Sequence, residues 1–426
     1  MNKKGIKPQI LKTEQNPILI YIIKWLCLSI LIGILAGSAS AFFLISLDWV
    51  TNLRENNLLI IAFLPLGGLL IGLAYHYIGA DVVKGNNQLL EEFHSPKEVI
   101  PLKMAPMVLF GTLITHLFGG SAGREGTAVQ MGTAISDQFS HLFKLKTEDR
   151  QILIIIGISA GFASVFGTPL SGTVFAMEVL ILSKMRYDAI LPGLAAALIA
   201  DYTCTAWNVS HTQYRIPNVP AINAENFLWA VMAGIIFGLA AMIFSRSTHF
   251  WSGLFRSKIR YAPLRPFAGG IFIAAAVWLT GSTKYIGLGI PVIESAFSSD
   301  LNSYDFLLKI LFTTFTIGAG FKGGEVTPLF FIGATLGNAL VWFVPLPVAL
   351  LAGMGFAAIF SGASNTPLAS TLLGIELFGT ESALFIGIAC FISYLFSGNT
   401  GIYSSQIKGG FKYLIYKQFG SKKSGN

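Results

Sequence analysis

Gly123-Arg124-Glu125-Gly126-Thr127 and Gly323-Gly324-Glu325-Val326-Thr327 share one spelling at positions 200 residues apart (125 to 325), each inside a long apolar, glycine-rich stretch. Between Lys103 and Asp137 the only formal charges are Arg124 and Glu125. Between Lys309 and Glu376 they are Lys322 and Glu325. A carboxylate at membrane depth is costly unless it faces a partner or a water-filled path, so each glutamate marks a place for ion or proton handling.

The rest of the composition supports membrane depth. Hydrophobic residues make up 53% of the 426 positions and charged residues 12%, against about 25% charged in soluble domains; mean hydropathy is +0.65. The chain is expected to be an all-α integral membrane protein. Apolar runs over 18–50, 58–77, 104–118, 152–166, 170–182 and 189–200 precede a polar midpoint holding His211, Arg215, Pro217 and Pro220. Runs over 227–244, 267–279, 306–317, 328–343, 348–360, 368–378 and 383–396 follow it. Several are shorter than the roughly 20 residues of a full span. The expected organisation is a cytoplasmic tail over 1–16, a membrane repeat over 17–205, a linker over 206–225, a second repeat over 226–418 and a tail over 419–426. Both ends are basic, with Lys3, Lys4, Lys7 and Lys12 at one and Lys408, Lys412, Lys417, Lys422 and Lys423 at the other. The positive-inside rule therefore places both termini in the cytoplasm. The net charge of +8 lies mostly at these ends and needs no nucleic acid to explain it.

Repetition extends past the glutamates. Gly161-Phe162-Ala163-Ser164-Val165-Phe166 returns as Gly355-Phe356-Ala357-Ala358-Ile359-Phe360, Thr168-Pro169-Leu170 with Glu178 returns as Thr366-Pro367-Leu368 with Glu376, and Tyr77-Ile78-Gly79 echoes Tyr285-Ile286-Gly287. Duplicated halves with short, broken segments point to a transporter whose site lies at the repeat interface near the bilayer midplane. The glycine-rich turns at 119–126 and 318–326, and Gly85-Asn86-Asn87-Gln88, would then present helix N-termini, whose free N–H groups and positive dipole ends attract anions. The plainer reading is that these glycines let helices pack closely.

Glu125 is read as a titratable gate, because neighbours on a helix do not face each other and Arg124 is a poor partner for it. Glu325 is either a partner of Lys322, three residues earlier, or part of a proton route. Gly119-Gly120-Ser121-Ala122-Gly123, with His116 nearby, also spells a nucleophile elbow. That motif has meaning only at a strand-turn-helix, so an intramembrane serine hydrolase is the remote alternative. Tyr403 on composition alone is an interfacial anchor. The cysteines and the other histidines form no metal-ligand or redox spacing, and no cofactor is implied.

Gly123–Thr127, its repeat at Gly324–Pro328, the Gly161–Glu178 block and the late Tyr403 together resemble the CLC family of anion channels and proton-coupled antiporters over nearly the whole chain. The resemblance implies an inverted-repeat helical fold, a homodimer in the inner membrane, and an anion held by helix N-termini beside the gating Glu125. Departures from chloride-type members narrow it. Thr127 stands where they have proline, Gly85-Asn86-Asn87-Gln88 replaces their serine-bearing run, Glu325-Val326-Thr327-Pro328 replaces their second-repeat motif, and Val179 occupies the place of their internal proton glutamate. These substitutions are similar to those of the fluoride-exporting branch. The expected function is outward fluoride driven by inward protons, with chloride or nitrate transport as the alternative. Glu125 and Glu325 carry coupling, while Asn86, Asn87, Gly126, Thr127, Val326, Thr327 and Tyr403 line the ion path. Phe93 is a further candidate through the positive edge of its ring. Fluoride is strongly hydrated, so short hydrogen bonds from these groups would have to replace its water.

Overall fold

The computed structural model describes residues 16–180, 185–407 and 409–420. The tail expected over 1–16 lies outside them as far as position 15. Residues 421–426 of the second tail, Leu182 at the end of one expected span, and Lys408 do so too. Among the described residues all regular structure is helical. The first half runs α1 (Asn16–Asn56), α2 (Leu64–Tyr77), α3 (Asn86–His94), α4 (Met104–Leu117), α5 (Glu125–Leu142), α6 (Thr147–Phe166), α7 (Pro169–Leu180) and α8 (Ile190–Ala206). The second runs α9 (Ala224–Lys258), α10 (Leu264–Thr280), α11 (Ile290–Ser295), α12 (Asp305–Ala319), α13 (Val326–Leu340), α14 (Val348–Ser364), α15 (Pro367–Phe378) and α16 (Ala383–Phe396). Helix α17 (Gly410–Gly420) follows.

Length separates two kinds of helix. At 1.5 Å per residue α1 is about 60 Å long, twice the hydrocarbon thickness, so it must tilt or project beyond the hydrocarbon at its ends. Helices α7 and α15, at 12 residues each, reach only about 18 Å and must end inside the membrane. Backbone ends at that depth need partners. The two helices supply them for each other: the Glu178 carboxylate accepts N–H groups of Leu368 (3.1 Å) and Ala369 (2.8 Å) at the start of α15. Glu376 likewise accepts those of Leu170 (2.9 Å) and Ser171 (2.8 Å) at the start of α7. The buried Glu178 and the half-buried Glu376 thus act as reciprocal N-terminal caps across a pseudo-two-fold axis.

The same axis is crossed by an isolated antiparallel bridge. Gly123 N–H donates to Gly324 O at 2.6 Å, and Gly324 N–H donates to Gly123 O at 2.7 Å. This bridge revises the register in which the repeats correspond. Its partners are 201 residues apart (123 to 324), and Arg124 and Glu325 share one backbone conformation as the residues preceding α5 and α13. Glu125 is therefore the counterpart of Val326, and the two glutamates are one residue out of equivalence. The phenylalanine blocks shift as well. The reciprocal caps are 198 residues apart (178 to 376), which matches Phe162 with Phe360. Their rings stack at 6.2 Å, and the 194-residue match of Gly161 to Gly355 lies one helical turn away. Tyr77 and Tyr285 also differ: Tyr77 is exposed, whereas Tyr285 is buried and donates its hydroxyl to Asp305 at 2.7 Å.

Helix α5 was not among the expected spans. Gln130, Thr133, Ser136, Asp137 and Gln138 lower its hydropathy, yet most of it is buried against protein rather than lipid. It packs on α6 through glycine. A Cβ on Gly132 would stand 2.6 Å from Gly157 O, and in the second half Gly333 and Gly355 face each other so closely that a Cβ on either would strike the other's carbonyl. Neither contact can yield by moving a side chain. Gly355→Ala is expected to destabilise the protein by about 1–3 kcal/mol. Gly253→Ala in α9, whose Cβ would meet nothing within 4 Å, should be neutral or stabilising by up to about 1 kcal/mol. Thermal unfolding in detergent checks the pair, and equal midpoints for the two variants would refute the contact.

Candidate functional site

Three helix N-termini meet beside the Gly123–Gly324 bridge. Helix α5 begins at Glu125 and α13 at Val326, and α3 begins at Asn86 after Gly85, whose φ of 56° requires the left-handed region. Asn86 closes the set: a Cβ on Gly126 would lie 2.9 Å from its Nδ2, and one on Gly324 would lie 2.9 Å from Gly126 N. Glycine at 324 lets the backbones of the α5 and α13 termini approach closely, and glycine at 126 leaves room for the Asn86 amide.

The place in front of these termini is filled by a carboxylate. Glu125 is 1% exposed. Its Oε2 accepts the Thr327 N–H at 3.1 Å and the Arg124 N–H at 3.1 Å, and its Oε1 accepts the Thr327 hydroxyl. A glutamate of the first half is therefore held by the opening turn of α13 in the second half. Its oxygens stand where a small anion bound by the same donors would stand. The expectation that Arg124 is a poor partner needs qualifying. Its guanidinium Nε comes within 3.8 Å of Oε1, because Arg124 precedes the helix and the Glu125 side chain folds back over it, but that Nε makes no hydrogen bond.

Glu325 is placed differently. It precedes α13, is partly exposed, and lines a cavity of about 580 Å³ with Asn86, Asn87 and Tyr403. Pairing with Lys322 is not made: Lys322 Nζ donates to Val83 O at 3.2 Å and lies 4.1 Å from the centre of the Tyr75 ring. Lys84, Arg256, Arg265 and Lys322 line this cavity against the single carboxylate of Glu325. Lys84 is paired with Glu91 at 2.7 Å, which leaves Arg256, Arg265 and Lys322 against the one acid, an excess of positive charge that attracts anions. Arg256, Arg265 and His249 were missed because they belong to the end of α9 and the start of α10, far from the glutamates in sequence. Their joint signal was the basic run Arg256, Lys258, Arg260 and Arg265.

The remaining predicted residues divide. Thr327 donates to the site by main chain and side chain, and Val326 contributes the first turn of α13 and is buried. Thr127 does not present its hydroxyl: that group pairs with Thr112 Oγ1 at 2.7 Å, so only its main chain belongs to the α5 terminus. Asn87 lines the cavity, but its Oδ1 accepts the Ser405 N–H at 3.0 Å, tying α3 to the segment after Tyr403. Asn86 keeps a buried Oδ1 without a partner. Tyr403, at 8% exposure, is built into the cavity wall. Phe93 is not brought to the site; it is 1% exposed and packs edge-on to His94 in the core near the far end of α3. Ser121 is fully buried, and its hydroxyl pairs with Thr313 Oγ1 at 2.8 Å rather than with His116. The nucleophile–base pair that a hydrolase needs is not formed.

A second, smaller cavity of about 20 Å³ approaches the same carboxylate, lined by Arg124, Thr327 and residues His211, Thr212 and Tyr214 of the segment between the halves. Thr327 thus borders one cavity and Asn86 the other, with Glu125 closed between them.

The voltage-gated chloride channel family matches residues 67–398. A chloride/fluoride channel protein of Pseudomonas syringae pv. tomato is 52% identical over 408 residues, covering 94% of this chain and 90% of the relative. A solved CLC-type fluoride/proton antiporter superposes with a TM-score of 0.88 at 35% identity, over 90% of this chain and 98% of that one. An H(+)/Cl(-) exchange transporter of Vibrio cholerae is 26% identical over 406 residues, 88% of this chain and 85% of the relative. By the family match, the extent of these likenesses and the paired helix termini around Glu125, the chain belongs to the voltage-gated chloride channel family, the CLC proteins.

Proposed function

We propose that this protein exports fluoride in exchange for protons. One observation carries the reading: the Glu125 carboxylate occupies the donors of α13, so anion and carboxylate compete for the same N–H and hydroxyl groups. Protonation removes the charge for which those donors compete, and a neutral side chain leaves the place to the anion. The likeness to a CLC-type fluoride/proton antiporter at 35% identity and to a chloride/fluoride channel protein at 52% identity supports fluoride as the anion.

The donor set fits that choice. Thr327 adds a hydroxyl to the main-chain N–H groups, and Asn86 adds an amide beside Gly126. Short hydrogen bonds of this kind are what a small, strongly hydrated anion needs in exchange for water. Glu325, Asn86, Asn87 and Tyr403 line the inner part of the path, Gly126, Thr127 and Val326 supply its helix termini, and Glu325 passes protons towards Glu125. Both chain ends are on the cytoplasmic side of the inner membrane, the subunit pairs with a second copy, and transport needs no cofactor.

The chloride/fluoride relative keeps a second reading alive, a channel or exchanger that also passes chloride. Liposomes loaded with fluoride or chloride and followed with ion-selective electrodes separate the two. Fluoride efflux well above chloride efflux, with an imposed proton gradient driving fluoride uphill, is the expected result; equal chloride movement refutes the fluoride assignment.

Glu125→Gln is expected to abolish proton-driven fluoride movement, and full coupling in that variant would remove Glu125 from the gate. Thr327→Val deletes the hydroxyl that binds Glu125, a hydrogen bond to a charged group worth about 1.5–3 kcal/mol. It should slow fluoride transport by about ten-fold or more while leaving the fold intact, and an unchanged rate would assign that hydroxyl no role. Glu325→Gln should retain downhill fluoride efflux more than uphill accumulation, read in the same liposomes with and without a proton gradient. Equal loss of both refutes a proton role.

A further inference from the structure

Beside the large cavity lies a chamber of about 180 Å³ that shares His249, Tyr403 and Ser404 with it. Its wall includes Lys412, in the first turn of α17 and only 5% exposed. The ammonium donates to Asn365 Oδ1 and to Ser397 Oγ, each at 2.8 Å, and lies 4.6 Å from the centre of the Tyr394 ring. All three partners are neutral, and among the described residues no carboxylate pairs with it.

Burial lowers the pKa of the Lys412 ammonium, and two physical facts make its charged form unfavourable here unless the chamber is filled. A buried charge without a counter-charge is expensive, and a cation in the first turn of a helix faces the positive end of its dipole. An anion offsets both. Lysine has three donors, and two are taken, so one remains on a residue that lines the chamber. Asn365 is itself fixed, since its Nδ2 donates to Gln406 Oε1 at 3.1 Å and Gln406 Nε2 donates to Ser364 O at 3.0 Å. The ammonium is therefore held in position by a network that spans α14 and the segment after Tyr403.

We propose that this chamber is a second anion site, in which Lys412 holds substrate fluoride with part of its water shell before the ion passes Tyr403. The volume admits several waters together with the ion, as a strongly hydrated anion requires before it meets the drier donors of Thr327 and Asn86. The inference rests on the fluoride reading above for the identity of the ion, and on Lys412 and the chamber for its place.

The test uses the full chain in liposomes, with fluoride varied at the face that Lys412 serves. Lys412→Gln keeps a donor for Asn365 and Ser397 and loses the charge. Its half-saturating fluoride should rise about ten-fold, the loss expected for one hydrogen bond to a charged group. The effect should fall on half-saturation rather than maximal rate, leave the proton-to-fluoride ratio and the half-saturation at the opposite face in place, and be largely rescued by Lys412→Arg. Thr400→Glu puts a carboxylate into the chamber from an exposed position and should raise half-saturation likewise, which keeps the test open if Lys412→Gln does not fold. Unchanged half-saturation in a folded Lys412→Gln or Thr400→Glu variant overturns the site. So does a lowered maximal rate shared equally by Lys412→Gln and Lys412→Arg, which marks a strut. Wild-type protein that carries chloride in preference to fluoride defeats the transport reading instead, and the same comparison made with chloride then tests the chamber by itself.

Discussion

The Gly123–Gly324 backbone pair is the constraint on which the site depends. Two loops of opposite halves exchange main-chain hydrogen bonds of 2.6 and 2.7 Å at a depth where unpaired backbone is not tolerated. The exchange sets the first turns of α5 and α13 against each other. A Cβ at Gly123 would lie 2.8 Å from Glu125 Oε2 and 2.9 Å from Pro328 Cδ, and one at Gly324 would lie 2.9 Å from Gly126 N. Side chains here would push apart the termini that hold Glu125. The reciprocal caps of Glu178 and Glu376 secure α7 and α15 across the same axis, so the halves interlock and neither has a site of its own.

The one-residue slip between the repeats explains how two glutamates with the same spelling differ in environment. Around a helix one residue is a rotation of about 100°. Glu125, the first residue of α5, turns into the contact between the halves and is bound by Thr327. Glu325, the residue before α13, turns instead to the wide cavity. Val326, which stands in the structural place of Glu125, is apolar and offers α5 no competing carboxylate. The duplication thus supplies two matched termini, and the slip gives one of them the anionic side chain.

Much of this was legible from spelling. Charges isolated in apolar runs located Glu125 and Glu325, and glycine-rich turns located the termini of α3, α5 and α13, because backbone approach restricts residue type sharply. The register was not legible. Identity of letters favoured the 200-residue alignment, while hydrogen bonding at the bridge selects 201. Hydropathy missed α5, since a helix enclosed by other helices needs no lipid-facing surface. The core packing of Phe93 and the turning of the Thr127 hydroxyl to Thr112 were hidden for a related reason: sequence gives a residue's position on an element and not its rotation towards a neighbour. Lys412, counted among the basic residues of a cytoplasmic end, is instead buried, and nothing in the local spelling distinguishes it from Lys417.

On the proposed reading, coupling needs no separate device to link proton and anion. The carboxylate of Glu125 and a fluoride ion are both compact anions that accept strong hydrogen bonds, and the donors of Thr327 cannot serve both at once. A proton on Glu125 weakens one competitor and so raises the affinity for the other. By reciprocity of linkage, an anion in the cradle raises the affinity of the displaced carboxylate for protons by the same factor. The size of that factor depends on how completely water is excluded, because water at the cradle would solvate either competitor and let both remain charged. The 1% exposure of Glu125 and the narrowness of the smaller cavity are therefore as much a part of exchange as the donors themselves. The wide, positively lined cavity on the other side belongs to delivery, where hydration is an asset.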